Sequence, residues 1–202
     1  MKKKWSFKLE LKRKAIHLLS LLFLLSYVIF GGMWGEKIAL LLLTFLLIFF
    51  LELDFIRLKT KIKIPFGNLW REKEKNRLGG HVYFLIGAII SLAIFDFKIA
   101  TVALLMTTFG DMAASLIGMK FGKRWLKKIP DRAWEGILAE FAVNIFIGII
   151  FLSNWIIILV MASTATFVET VFTHADDNLM IPLFAGFNGE ITLLLIECYK
   201  AI

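Results

Sequence analysis

The sequence predicts an all-α membrane protein, a polytopic bundle of about seven transmembrane helices with its N-terminus in the cytoplasm. Three observations predict it. First, 59% of the 202 residues are hydrophobic, and mean hydropathy is +0.77, whereas a soluble domain is about half apolar. Second, the apolar residues come in runs near the roughly 20 residues a spanning helix needs. Third, nearly all the basic residues fall in alternate gaps between those runs, the pattern that orients cytoplasmic loops. The length suits one domain, residues 1–202. A lone cysteine, Cys198, excludes an internal disulfide. The net charge of +8 raises nucleic acid as a partner. However, the cations punctuate apolar runs and do not decorate a soluble face, so topology explains them and no nucleic acid is expected.

The basic segment 1–14, with Lys2, Lys3, Lys4, Lys8, Lys12, Arg13 and Lys14, precedes the first run, Ala15 to Met33. No small-residue cleavage site follows, so the run reads as a retained helix and not a signal peptide. The second and third runs, Ile38 to Leu53 and His81 to Phe97, have short apolar cores. Between them, the basic loop 54–80 carries Arg57, Lys59, Lys61, Lys63, Arg71, Lys73, Lys75 and Arg77. The fourth run is Ile99 to Met119. After it, the loop 120–132 carries Lys120, Lys123, Arg124, Lys127, Lys128 and Arg132. The fifth and sixth are Ala133 to Leu152 and Trp155 to Phe172. The seventh, Leu179 to Ile196, is interrupted by Asn188-Gly189-Glu190 and is expected to bend or re-enter. Six crossings with a re-entrant last segment is the rival topology.

An ionised group at mid-bilayer costs about 2.5–3.5 kcal/mol on insertion scales, so such a residue has a partner or a purpose. Asp111, Glu140, Glu169 and Glu190 lie within the expected spans. The alternating topology brings Asp111, Glu135, Glu140, Glu169, Asp176 and Asp177 toward the inner leaflet, beside the basic loop 120–132. Glu190 is left toward the other side. Carboxylates beside cations suit a metal–polyphosphate ligand, because Mg²⁺ takes one or two carboxylates plus phosphate oxygens and Lys or Arg can neutralise the rest.

The motifs follow from this placement. In Gly110-Asp111-Met112-Ala113-Ala114-Ser115, Asp111 and Ser115 share a helix face. The row Gly110, Ala114, Gly118, Gly122 suits close helix packing, or a nucleotide contact at Gly118 and Gly122. Around Pro130-Asp131-Arg132-Ala133-Trp134-Glu135-Gly136, Asp131 reads as an N-cap and Arg132 as a phosphate ligand. Glu135 could ligate metal, act as a base or complement the helix dipole. Glu140 and Asn144 can hydrogen-bond along one helix. In His174-Ala175-Asp176-Asp177-Asn178, one aspartate reads as an N-cap, and zinc is disfavoured because His174 has no partner at zinc-ligand spacing. Glu10, Arg13, Lys14 and His17 enter the first helix as an interfacial anchor or a site. Arg71-Glu72 and the stretch to His81 lead into the third. No Walker loop, protein-kinase set, HExxH or nucleophile elbow is present.

Together Arg13-Lys14 with His17, Arg71 through Gly87, Gly110-Asp111 through Gly122-Lys123, Glu135-Gly136, and Asp177-Asn178 with Pro182 resemble the dolichol kinase family, which includes phytol kinase and the fungal CTP-dependent diacylglycerol kinase. The resemblance covers most of the chain. It implies CTP as phosphoryl donor, Mg²⁺ or a similar cation, and a long-chain lipid alcohol, first a dolichol or polyprenol. The Gly-Asp segment and Trp134-Glu135-Gly136 also resemble phosphatidate cytidylyltransferases, whose acidic C-terminal signature is missing here. The hydroxyl residue usual in both groups shortly before Glu-Gly is replaced by Ala133.

The expected site follows. Asp111 and Asp177 hold the metal, Lys123, Arg124 and Arg132 grip phosphates, Glu135 orients or deprotonates the alcohol, and Asn178 bonds the nucleotide. The expected setting is a multi-pass protein whose site faces the cytoplasm. A cytidylyltransferase, a cation- or proton-coupled transporter, a scaffold and a homo-oligomer all stay open.

Overall fold

A computed structural model describes residues 7–60, 77–127, 129, 132–172 and 175–201. Lys128, Asp131, His174, Arg71 and Glu72 lie outside them. The regular structure of the described residues is helical apart from one isolated bridge, Trp125 to Ala133. It forms two compact units, residues 1–89 and 90–202.

In the first unit, α1 (Phe7–Leu18) and α2 (Leu21–Trp34) divide the expected first span. The division falls where the amides of Leu19 and Ser20 reach back only three residues, to Ile16 and His17, and the Ser20 hydroxyl also donates to the His17 carbonyl at 2.6 Å. Most of α1 thus lies inside the segment 1–14 expected to be a basic arm. Gly35, at φ 91°, turns the chain from α2 into α3 (Glu36–Lys59), a left-handed conformation that glycine adopts without a Cβ penalty. Helix α3 continues through Asp54 and Arg57, six residues into the expected loop. Those residues turn inward: the buried Asp54 carboxylate accepts from the Gly79 amide at 2.5 Å and from Arg57 Nε at 2.8 Å. This fixes where α4 (Gly80–Ile94) begins.

The second unit holds α5 (Phe97–Leu105), a single π-helical turn (Met106–Gly110), α6 (Asp111–Phe121), α7 (Trp134–Phe151), α8 (Trp155–Val171) and α9 (Asp177–Lys200). Three helix starts carry side-chain caps. Asp96 accepts from the Lys98 and Ile99 amides, Asn154 from Ile156 and Ile157, and Asp176 from Asn178. The expected cap by one of the paired aspartates is thus Asp176, whereas α7 follows Ala133, which has no side chain to cap it. The core joins Val102 and Met106 to Ile147, Met161, Ala165 and Ile181.

Small residues set the helix spacing, as membrane helices without a hydrophobic drive require. A Cβ on Gly136 would lie 2.6 Å from the Ala114 carbonyl oxygen and 3.2 Å from Gly118 Cα. Both neighbours are backbone and cannot rotate away. Gly136→Ala is therefore expected to force α6 from α7 and lower stability by about 1–3 kcal/mol, read as a drop in the thermal midpoint of the purified protein in detergent. At Gly122 the same addition would collide with the Gly118 carbonyl oxygen and with Ala133 Cβ. The row from Gly110 to Gly122 thus includes close backbone approaches at Gly118 and Gly122.

The seventh run is one helix. Helix α9 runs unbroken through Asn188-Gly189-Glu190, because each of the three is satisfied within the unit. Asn188 donates to Thr164 on α8 at 3.0 Å, Gly189 lets Met161 approach, and Glu190 accepts from the Asp96 amide at 2.8 Å. Among the described residues, five stretches are long and apolar enough to cross a membrane: 7–34, α3, 97–121, α7 and α9. Helices α4 and α8 are shorter and apolar.

Candidate active site

Asp111, Glu169 and Asp177 bring one carboxylate oxygen each to within 4.8 Å of one another. They come from three different places. Asp111 opens α6 directly after the π turn, Glu169 lies near the end of α8, and Asp177 opens α9. The turn is a wider helix with one residue inserted, a feature frequent at functional sites. It resets the phase between α5 and α6, and Asp111 is the first residue after it. Asp111 is 8% and Glu169 1% exposed, so two of the three carboxylates sit out of water.

Arg132 answers them. Its guanidinium lies 2.5 Å from Glu169 Oε1. Burial works against the guanidinium's charge, yet Glu169, Asp111 and Asp177 outweigh that and hold Arg132 more firmly protonated than a free arginine. The chain carries Arg132 there through the α6–α7 connection, which folds back on itself. The Leu126 amide donates to the Arg132 carbonyl at 2.9 Å, and the Trp134 amide donates to the Arg124 carbonyl at 2.9 Å.

Three close carboxylates with only oxygen donors are a hard ligand set of the type Mg²⁺ or another divalent cation takes, and their mutual repulsion falls when a cation is shared. The expected pair Asp111 and Asp177 is thus brought together, with Arg132 beside it. Glu135 is elsewhere: its carboxylate accepts from the Arg124 amide at 3.3 Å, at the mouth of α7. Lys123 and Arg124 are exposed on the same connection. Asn178 is buried and donates to Asp176 Oδ1 at 2.8 Å, Gly118 lies against Gly136 of α7, and Gly122 lies against Ala133 and Trp125.

Sequence reasoning gave Glu169 no role. The available signal was an acid at the end of the sixth apolar run, at the leaflet where Arg132 needed a partner. Behind the group, Glu140 is 1% exposed and within electrostatic range of Glu169, Arg132, Asp111 and Asp177. The expected bond between Glu140 and Asn144 is not the one formed, since Asn144 Nδ2 donates to Thr166 on α8 at 3.2 Å.

The chain is similar to CTP-dependent diacylglycerol kinase 1 of Schizosaccharomyces pombe, 30% identical over 148 residues that make up 70% of this chain and 66% of that protein. It is 25% identical over 193 residues to the chloroplastic phytol kinase 1 of Arabidopsis thaliana, covering 86% of this chain and 64% of the relative. The CTP-dependent diacylglycerol kinase 1 of Saccharomyces cerevisiae is 28% identical over 145 residues, 67% of this chain and 48% of the relative. The chain thus spans between about half and two thirds of the length of these relatives. No family model and no solved structure matches it.

Proposed function

We propose, from the premise that this chain belongs to the family of the CTP-dependent diacylglycerol kinases and phytol kinases, that it transfers the γ-phosphoryl group of CTP to the hydroxyl of a membrane lipid alcohol. The observation that carries this reading is the Asp111–Glu169–Asp177 group with Arg132 at its edge. Phosphoryl transfer asks a protein for position and charge neutralisation more than for covalent chemistry, and this group offers both. The bond from the γ-phosphorus to the bridging oxygen breaks, a bond to the alcohol oxygen forms, and CDP leaves. The alcohol's proton passes to a site carboxylate and then to water.

Asp111 and Asp177 would hold Mg²⁺, which when bound neutralises charge on the phosphates. Glu169 fixes Arg132, so that its guanidinium presents a preorganised fork to phosphate oxygens. Lys123 and Arg124 add positive charge along the same connection, and Glu135 acts as a positioning residue by holding the Arg124 amide. The acceptor we favour is a dolichol or polyprenol. On the distribution of Lys and Arg, the site faces the cytoplasmic leaflet.

The test is transfer of radiolabelled γ-phosphate from each of the four ribonucleoside triphosphates to a panel of polyprenols, phytol, geranylgeraniol and diacylglycerol, using protein in lipid nanodiscs. CTP is expected to be the best donor, with CDP and a phosphorylated lipid as products. Release of pyrophosphate with a CDP-lipid would replace the kinase with a cytidylyltransferase. No transfer with any pair would end the reading.

A further inference from the structure

The faces of α7 and α8 enclose an open cleft of about 350 Å³, lined by Trp134, Ile137, Leu138, Phe141, Phe167 and Thr170 among others. We infer that this cleft holds the hydrocarbon chain of the acceptor alcohol, with the hydroxyl end at Thr170. The inference deepens the kinase reading and rests on it.

Four observations converge. The lining is almost wholly apolar, so its occupant is hydrocarbon and not a nucleotide or an ion. The rim is open and carries Leu138 and Phe167, 63% and 61% exposed. Such residues face lipid in a spanning helix, so a chain can slide in sideways from the bilayer. The cleft and the phosphoryl-transfer site share neighbours along the chain. Leu126, in the lining, donates its amide to the Arg132 carbonyl, Arg132 pairs with Glu169, and Thr170 is the next residue. Finally, Thr170 Oγ1 is buried with no hydrogen-bond partner among the described residues. A buried hydroxyl left so costs about 1–3 kcal/mol; turned about its Cα–Cβ bond toward the cleft that Thr170 lines, it would meet an alcohol group there. Thr166, which also lines the cleft, is already engaged by Asn144.

Size narrows the class. Ligand cavities run from about 300 to about 1,000 Å³, and this one is near the lower end. At that volume it takes the hydroxyl-bearing end of one chain, the rest of a polyprenol lying in the bilayer, and not the two acyl chains of a diacylglycerol.

The test uses the whole chain in nanodiscs with a long-chain prenyl alcohol bearing a diazirine near the hydroxyl. After irradiation, labelled residues are mapped by mass spectrometry. Label is expected on cleft residues of α7 and α8 and is expected to disappear with excess unlabelled polyprenol, while dioleoylglycerol competes about tenfold less well. Ile137→Trp, which fills the cleft, should lower labelling and raise KM for the prenyl alcohol about tenfold with kcat retained. Thr170→Val removes the hydroxyl at constant shape and should raise KM without changing the thermal midpoint. Saturable label elsewhere, label that polyprenol does not displace, or equal competition by dioleoylglycerol would overturn the assignment. Saturable cleft labelling without phosphate transfer from any nucleotide would leave the lipid site standing and remove the kinase.

Discussion

Asp111→Asn is expected to reduce phosphoryl transfer by about a hundredfold to a thousandfold while leaving the protein at least as stable when divalent cations are absent. The two halves of this expectation have one cause. Asp111 is 8% exposed and its carboxylate shares a space less than 4.8 Å across with those of Glu169 and Asp177. Like charges held that close oppose folding, so removing one relieves repulsion in the metal-free protein. The same removal takes away a hard oxygen donor, and with it the cation's grip. Thermal unfolding with and without Mg²⁺ checks both. In the unaltered protein Mg²⁺ should raise the midpoint, because a ligand that binds only the folded form stabilises it. In the variant that rise should shrink or vanish. Full activity together with an unchanged response to Mg²⁺ would remove Asp111 from the site.

Arg132→Gln should do the opposite to stability. Glu169 is fully buried as a side chain, and Arg132, 25% exposed, is its partner. Removing one member of a buried pair strands the other, at a cost of about 3 kcal/mol or somewhat less given the partial exposure of the arginine. Adding Glu169→Gln to that variant should recover more than half of the loss, since the stranded charge is then gone. Neither variant should transfer phosphate. Urea or thermal unfolding of the two single variants and the double variant supplies the cycle. A double variant no more stable than Arg132→Gln alone would mean that the pair contributes nothing.

What could be read in advance depended on which signals lie in the one-dimensional pattern. Span limits do, so the ends of α6 and α9 could be brought to one leaflet and Asp111 and Asp177 expected together. The glycine row was legible as helix packing because spacing alone specifies it. Glu169 was visible as a costly charge, but its pairing with Arg132 depends on how the α6–α7 connection folds back, through backbone bonds between Leu126 and Arg132 and between Arg124 and Trp134. Those bonds leave no mark on composition. Asn188-Gly189-Glu190 looked like a break because polar residues interrupt an apolar run. Their partners Thr164, Met161 and Asp96 lie on other helices, and only tertiary structure reveals that the helix continues. The inserted residue in 106–110 is hidden for the same reason, since an apolar run gives no hint of its winding.

That winding sets a rule of length for the segment. A substitution between Met106 and Gly110 changes one side chain, but deleting a single residue there would let the helix regain its ordinary pitch. Everything downstream would then keep its place, whereas a further inserted residue with no wider turn to absorb it would rotate it by about 100° and sweep the carboxylate that follows away from its two companions. Register, more than residue identity, is what this stretch encodes.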